Sequence, residues 1–239
     1  MTRLMFALVA ALSLMGISAA SSFVNVPITS IANQNASNYY QNYPSGSQLF
    51  AGVPFQVEPN MFYTSEGGSN AGFPIHGDIS TSVESPLIAH ILIEGPSVTL
   101  QFAGMDLGYI TFNYQNGAQQ VFHLIVGETI RDWVTRSDLV VTTSNPAVTT
   151  VWHGSPQQNP WLSAGCYDAI INKLSIPLLQ GSTLTSITFD DTSEITCNSA
   201  APGFYINGIT IEAVPEPSSI LMLVCSVGGM IWRKRRNVA

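Results

Sequence analysis

The sequence predicts an all-β domain, a two-sheet antiparallel sandwich, held between two apolar chain ends. Three observations carry this. No stretch of residues 21–213 shows a helical hydrophobic period, whereas short apolar or alternating runs recur along it. Gly, Pro and Asn separate those runs, as many short antiparallel strands require. Only 10% of the 239 residues are charged, and the hydrophobic excess lies at the two termini. The middle is rich in Ser, Thr, Asn, Gln and Gly.

Residues 1–20 read as a signal peptide. Arg3 supplies the positive start, 4–17 the apolar core, and Ser18, Ala19 and Ala20 the small residues a signal peptidase needs. A membrane anchor is the competing reading, but the run falls short of the ~20 residues of a span. The mature chain is expected to begin near Ser21. The domain at 21–213 is loop-rich before residue 85, with strands expected around 24–28 and 53–57. Residues 87–94 are β-rich and closed by Gly95 and Pro96, and 97–102 alternates. Residues 109–114 and 120–126 flank Asn116 and Gly117 and make the clearest hairpin, because Asn-Gly accepts the positive φ of a tight turn. Further strands are expected at 148–152, 169–176, 184–189 and 204–211.

The tail, 214–239, has three ordered parts. Pro215 and Pro217 keep the chain extended. Residues 220–232 are uncharged and end in Trp232, an interfacial aromatic. Arg233, Lys234, Arg235 and Arg236 then form a basic cluster that stops translocation and stays cytoplasmic. As a helix the apolar run of about 13 residues spans roughly 20 Å, against a hydrocarbon core near 30 Å. Such a short transmembrane helix suits a transient anchor. The alternative, a buried core helix, leaves the four adjacent cations unexplained. Together the triplet Pro215, Glu216 and Pro217, the apolar helix and the basic cluster resemble the PEP-CTERM sorting signal of Gram-negative bacteria. That resemblance implies export across the inner membrane and an exosortase-type processing enzyme as partner. It also implies cleavage near the triplet and delivery to the cell surface or an exopolysaccharide matrix.

A second resemblance covers about 170 residues. Asn38 to Tyr40, then 43–55 with its Gly52-Val53-Pro54-Phe55 strand, look like the opening of galactose-binding-domain-like jelly rolls. Residues 109–114, the Asn116-Gly117 turn and the stretch from Gly127 to Arg131, Asp132 and Trp133 resemble a later part of the same domains. Val151, Trp152 and 204–211 fall where that pattern has strands. The resemblance implies a jelly-roll β-sandwich that binds carbohydrate or serves as an accessory module.

Charge and motifs narrow the function. Residues 21–213 hold 14 acidic side chains against Arg131, Arg136 and Lys173. Nucleic-acid binding needs cations to neutralise phosphates, so no nucleic-acid partner is expected. The sequence contains no Gly-x-Ser-x-Gly elbow, His-Glu-x-x-His pair or P-loop. His76, His90, His123 and His153 are scattered without ligand-like spacing, so no catalytic residues are assigned. A secreted hydrolase is the least favoured reading, after carbohydrate binding and a structural matrix protein that binds other proteins. Cys166 and Cys197 are expected to form a disulfide in an oxidising compartment, with two separate thiols as the alternative. Asp190, Asp191 and Glu194 could hold a structural Ca²⁺, although a solvated turn is preferred, and no cofactor is assigned. The polar loop 153–161 has the profile of a contact loop. Trp161, Gln158 and Asn159 are therefore the candidate ligand contacts, with Trp133 and Asp132 as further candidates for which packing is the competing role.

Overall fold

The computed structural model describes residues 21–65, 72–96, 98–157, 168–193 and 202–215. Its compact unit runs from Phe23 to Ala213. The strands are β1 (Ser22–Val26), β2 (Gln34–Asn35), β3 (Tyr40–Gln41), β4 (Gly46–Phe50), β5 (Val53–Val57), β6 (Asn60–Tyr63) and β7 (His76–Val83). They continue with β8 (Pro86–Glu94), β9 (Asp106–Tyr114), β10 (Gln119–Ile125), β11 (Val148–Pro156), β12 (Ala169–Pro177), β13 (Leu184–Asp191) and β14 (Tyr205–Ala213).

These strands build an all-β, sandwich-like architecture. The larger sheet has the order β2-β6-β14-β8-β12-β11-β3, with β1 also paired to β14. The smaller sheet is β10-β9-β13-β7, and β4-β5 is a separate hairpin. Neighbouring strands of the two sheets run antiparallel. Between the sheets lies the main core. Ala89, Ile91 and Ile93 of β8, Leu174 and Ile176 of β12, and Ile206, Ile209 and Ile211 of β14 meet Ile110 and Phe112 of β9 and Ile187 and Phe189 of β13. Fully burying each large side chain contributes about 1.5–3 kcal/mol.

The larger sheet is also covered on its second face. Leu92, Met61, Tyr63, Ala169, Ile171 and Tyr205 point there, against Phe50, Val53, Phe55 and Val57 of the β4-β5 hairpin and Trp133, Val134 and Leu139. This explains why β8 reads as a mostly apolar run, interrupted only by His90 before Glu94 closes it, rather than an alternating one. Strands buried on both faces have no side that must be polar.

The expected strands at 53–57, 87–94, 109–114, 120–126, 148–152, 169–176, 184–189 and 204–211 fall on β5 and β8 to β14 to within a residue, whereas the one at 24–28 overlaps β1, which ends at Val26. Of the run expected at 97–102, residues 98–102 do not form a strand, and Ser97 lies outside the described residues. Val98 donates its N–H to the Asp132 carboxylate at 2.9 Å, Leu100 bonds Asp138, and 100–102 coil into a 3-10 turn. Local side-chain and turn bonds there replace a ladder. Strand β7 is absent from the sequence-based expectations. It is polar at every other position and lies on the sheet edge, so its apolar face rests on Ile79 and Val83 alone. The signal peptide at 1–20, the tail helix and its basic cluster Arg233 to Arg236, and Glu216 and Pro217 lie outside the described residues. Among the described residues no helix is long and apolar enough to cross a membrane.

Gly108 marks the tightest approach within the smaller sheet. Its φ is +150°, and a Cβ there would stand 2.0 Å from the Asp190 carbonyl oxygen. Gly46 also has a positive φ (+87°) but opens on free space. Replacement of Gly108 by Ala is therefore expected to cost about 3 kcal/mol or more, because backbone must move. Gly46→Ala should cost only the left-handed strain of about 1–2 kcal/mol. Urea denaturation of the two variants measures the difference.

Candidate functional site

The second face of the larger sheet holds the chain's most unusual chemistry. On β8, side chains alternate, so His90, Leu92 and Glu94 point away from the sandwich interior. Glu94 is nevertheless fully buried. Its Oε1 accepts the Asn172 backbone N–H at 2.6 Å, and its Oε2 accepts the amide of Asn207. Asn207 sits where β14 slips register against β8, between Ile206 and Gly208. The extra residue of this bulge turns the amide towards Glu94. Tyr43 completes the chain by donating its hydroxyl to Asn207 Oδ1 at 2.8 Å, and the buried Tyr40 hydroxyl lies beside both groups. Burial pushes the Glu94 carboxyl well above the usual range, opposed by the Asn172 N–H, the positive Arg131 and the Asn207 amide.

The Arg131-Asp132-Trp133 segment closes one side of this region. Arg131 donates Nε and Nη2 to Asn172 Oδ1 at 3.2 and 3.1 Å and also reaches the Val141 carbonyl and the Thr150 hydroxyl. Asp132 accepts the N–H groups of Val98 and Val134 at 2.9 and 3.0 Å. Trp133 packs edge-on to Tyr40, with ring centroids 5.1 Å apart, and also meets Tyr39 and Tyr205.

Around the buried group lies an aromatic cluster that is only partly covered. Tyr39, Tyr43, Phe73 and Trp152 are partly buried and pack on the buried Tyr40, Tyr63, Trp133 and Tyr205. Tyr39 and Tyr205 lie 5.4 Å apart, and Tyr40 meets Trp152 edge-on at 5.9 Å. The Trp152 indole lies against Gly154, where a Cβ would come within 2.0 Å of the ring. A glycine two residues along the strand thus makes room for the tryptophan. Strand β11 ends against β3, with Pro156 opposite Tyr40, and the Gln157 N–H bonds the Tyr39 carbonyl at 2.6 Å. Residues 153–156 of the expected contact loop are thus strand, their backbone being paired in β11, and Gln157, the last described residue before 168, lies beside this cluster.

The candidate residues divide accordingly. Trp161, Gln158 and Asn159 lie outside the described residues, as do Cys166, Cys197 and Glu194. Asp132, 1% exposed, and Trp133, 6% exposed, are interior groups with packing and hydrogen-bond partners. They act from within the fold and present no contact surface, so both leave the set of ligand contacts. Asp190 and Asp191 do not share a site. Asp190 points outward to His76 at 2.7 Å, whereas Asp191 is buried and accepts the Ser193 N–H and hydroxyl at 3.0 and 2.6 Å. Among the described residues no group of three His, Cys, Asp or Glu is placed to hold a metal ion.

Sequence reasoning passes over Glu94, Tyr39 and Tyr43. Glu94 ends an apolar run and reads as its polar boundary. The Asn38 to Tyr43 segment is short and turn-like, and only its concentration of tyrosines is a signal. No protein-family model matches the chain, and no curated protein is similar to it in sequence.

The burial of Asp132 has a measurable consequence. Its pKa is pushed up to about 7 by desolvation, against the pull of the Val134 and Val98 amides. A carboxyl whose folded value exceeds its unfolded one contributes stability below the unfolded value near 3.8. That contribution is lost as pH rises through about 7. Denaturant midpoints across that interval should therefore fall with rising pH, and fall less steeply in Asp132→Asn.

Proposed function

We propose that this chain is an exported bacterial surface or matrix protein, processed through the PEP-CTERM-like tail at 214–239. Its domain, in this reading, is a galactose-binding-like jelly roll that binds carbohydrate without catalysing a reaction. The observation that carries the proposal is the partly buried cluster of Tyr39, Tyr43 and Trp152 beside Gln157, whose N–H bonds the Tyr39 carbonyl. Aromatic rings offer flat apolar faces to sugar C–H groups, and amide side chains such as Gln158 and Asn159 suit hydroxyls. Trp161 supplies a further ring in the same loop. Sites that combine aromatic walls with a few placed polar groups are the usual form of small-ligand recognition.

The buried layer supports the same reading. Ring orientation in the cluster is held from beneath by the Tyr43 to Asn207 to Glu94 hydrogen bonds. A platform fixed in this way loses little side-chain freedom when a ligand settles on it. The tail supports display outside the cell, where matrix polysaccharide is the available partner.

A glycan array probed with the segment 21–213, with and without Ca²⁺, tests the binding claim. Saturable binding is expected, weakened about tenfold or more by Trp161→Ala and by Tyr39→Ala, the effect of losing roughly 1.4 kcal/mol. Absence of binding by folded protein under both conditions would favour a structural matrix role through protein contacts.

A further inference from the structure

The exposed face of the smaller sheet carries a hydrogen-bonded relay across all four strands, away from the aromatic cluster. Gln119 of β10 donates its amide to Asn113 Oδ1 of β9 at 2.7 Å. Asn113 donates to Ser186 and Thr188 of β13 at 3.0 and 3.3 Å, and Thr188 donates to Asp78 Oδ1 of β7 at 2.6 Å. His76, also on β7, then stands between two carboxylates. Its Nε2 lies 2.8 Å from Asp78 Oδ2, and its Nδ1 lies 2.7 Å from Asp190 Oδ1 of β13.

Donor and acceptor chemistry fixes the direction of this chain. An ionised carboxylate only accepts, so the single Thr188 hydroxyl proton must go to Asp78. The Thr188 lone pairs are then left for the Asn113 amide, and the Asn113 carbonyl for Gln119. The same rule applies at His76. Neutral imidazole has one N–H and one lone pair, and a lone pair facing a carboxylate is repelled. Only the doubly protonated ring satisfies both aspartates.

We propose that His76 is held as an imidazolium and that it acts as a pH-gated clamp fastening the edge strand β7 to β13. Strand β7 has a neighbour on one side only. The clamp links its first residue to Asp190, its register partner. The charged groups facing the ring are Asp78 on its own strand and Asp190 on β13. Across Asp190 lies Tyr109 of β9, and beyond it His123, itself bonded to Asp106 at 2.6 Å. Among the described residues no cation competes with His76 for its two carboxylates.

Donation of its ring N–H groups to Asp190 and Asp78 raises the His76 pKa, and the bonds that Asp78 accepts from Thr188 and His76 lower that of Asp78. The two signs enclose a working range. The histidine's contribution is fully present below its ordinary 6.5 and is lost as pH rises through the raised value. The aspartate's contribution is present above its ordinary 3.8 and is lost as pH falls through the lowered value. Above the range one carboxylate loses its donor and β7 is freed at its start. The relay behind it loses nothing directly, since Asp78 keeps Thr188.

Hydrogen exchange of the full-length protein, read by mass spectrometry over 77–83 and corrected for intrinsic rates, tests this at about pH 6 and about pH 9. Protection of β7 should fall between the two, by roughly tenfold for each unit by which the His76 midpoint exceeds 6.5. In His76→Gln the pH-dependent part should vanish, while His123→Gln retains it. Equal protection of wild-type β7 at both values, or a fall that persists in His76→Gln, overturns the proposal. An NMR titration of the His76 ring needs no variant to fold. A midpoint above 6.5 agrees with the clamp, and one at or below it overturns the clamp.

Discussion

Glu94 ends the central strand of the larger sheet on the face turned away from the sandwich interior, and it is still fully buried. A carboxylate removed from water must be compensated by hydrogen bonds or remain protonated. Much of the surrounding geometry follows from that requirement. The Asn172 N–H on β12 and the Asn207 amide on β14 both turn towards it, so the two strands flanking β8 are tied to one side chain. The β14 bulge exists where Asn207 must reach that carboxylate, and the Tyr43 hydroxyl binds the other end of the same amide. Removing the acid would strand the Asn172 N–H and the Asn207 amide at once, which is costlier than the loss of either bond alone.

The two sheets therefore do different work. The larger one is covered on both faces, by the smaller sheet on one side and by the β4-β5 hairpin and the Arg131 to Leu139 segment on the other. Its second covering is not complete, and the tyrosines and Trp152 at its margin remain partly open. The smaller sheet is covered on one face only. Its outer face carries the exposed Val121 and a polar relay in which Gln119, Asn113 and Thr188 donate in turn until the chain reaches Asp78. The relay side chains of that face already have partners, whereas the aromatic margin of the larger sheet is only partly buried. That contrast is why the proposed contact surface lies on the larger sheet.

Legibility in the sequence follows burial. Strand β8 is visible because a strand buried on both sides is mostly apolar, His90 and Glu94 apart, and β9 and β10 because Asn116 and Gly117 mark the turn between them. Strand β7 is hidden by its polar edge position, since its serines, threonine and aspartate resemble a loop. The sequence leaves Asp132 and Trp133 between a contact role and a packing role. Their burial depends on Val98, Val134, Tyr39 and Tyr205, which are distant or unremarkable in sequence. The network around Glu94 is illegible for the same reason. It joins residues 43, 94, 172 and 207, and no local pattern announces contacts at such separations.

The most direct test is a double-mutant cycle between Glu94 and Asn207, using single and paired alanine variants and urea denaturation. If the buried carboxylate organises the second face through Asn207, the two losses should overlap strongly, with a coupling energy of about 1–3 kcal/mol. Additive losses within about 0.5 kcal/mol would show that the two residues stabilise the fold independently. That result would contradict an organising role for the buried Glu94 carboxylate.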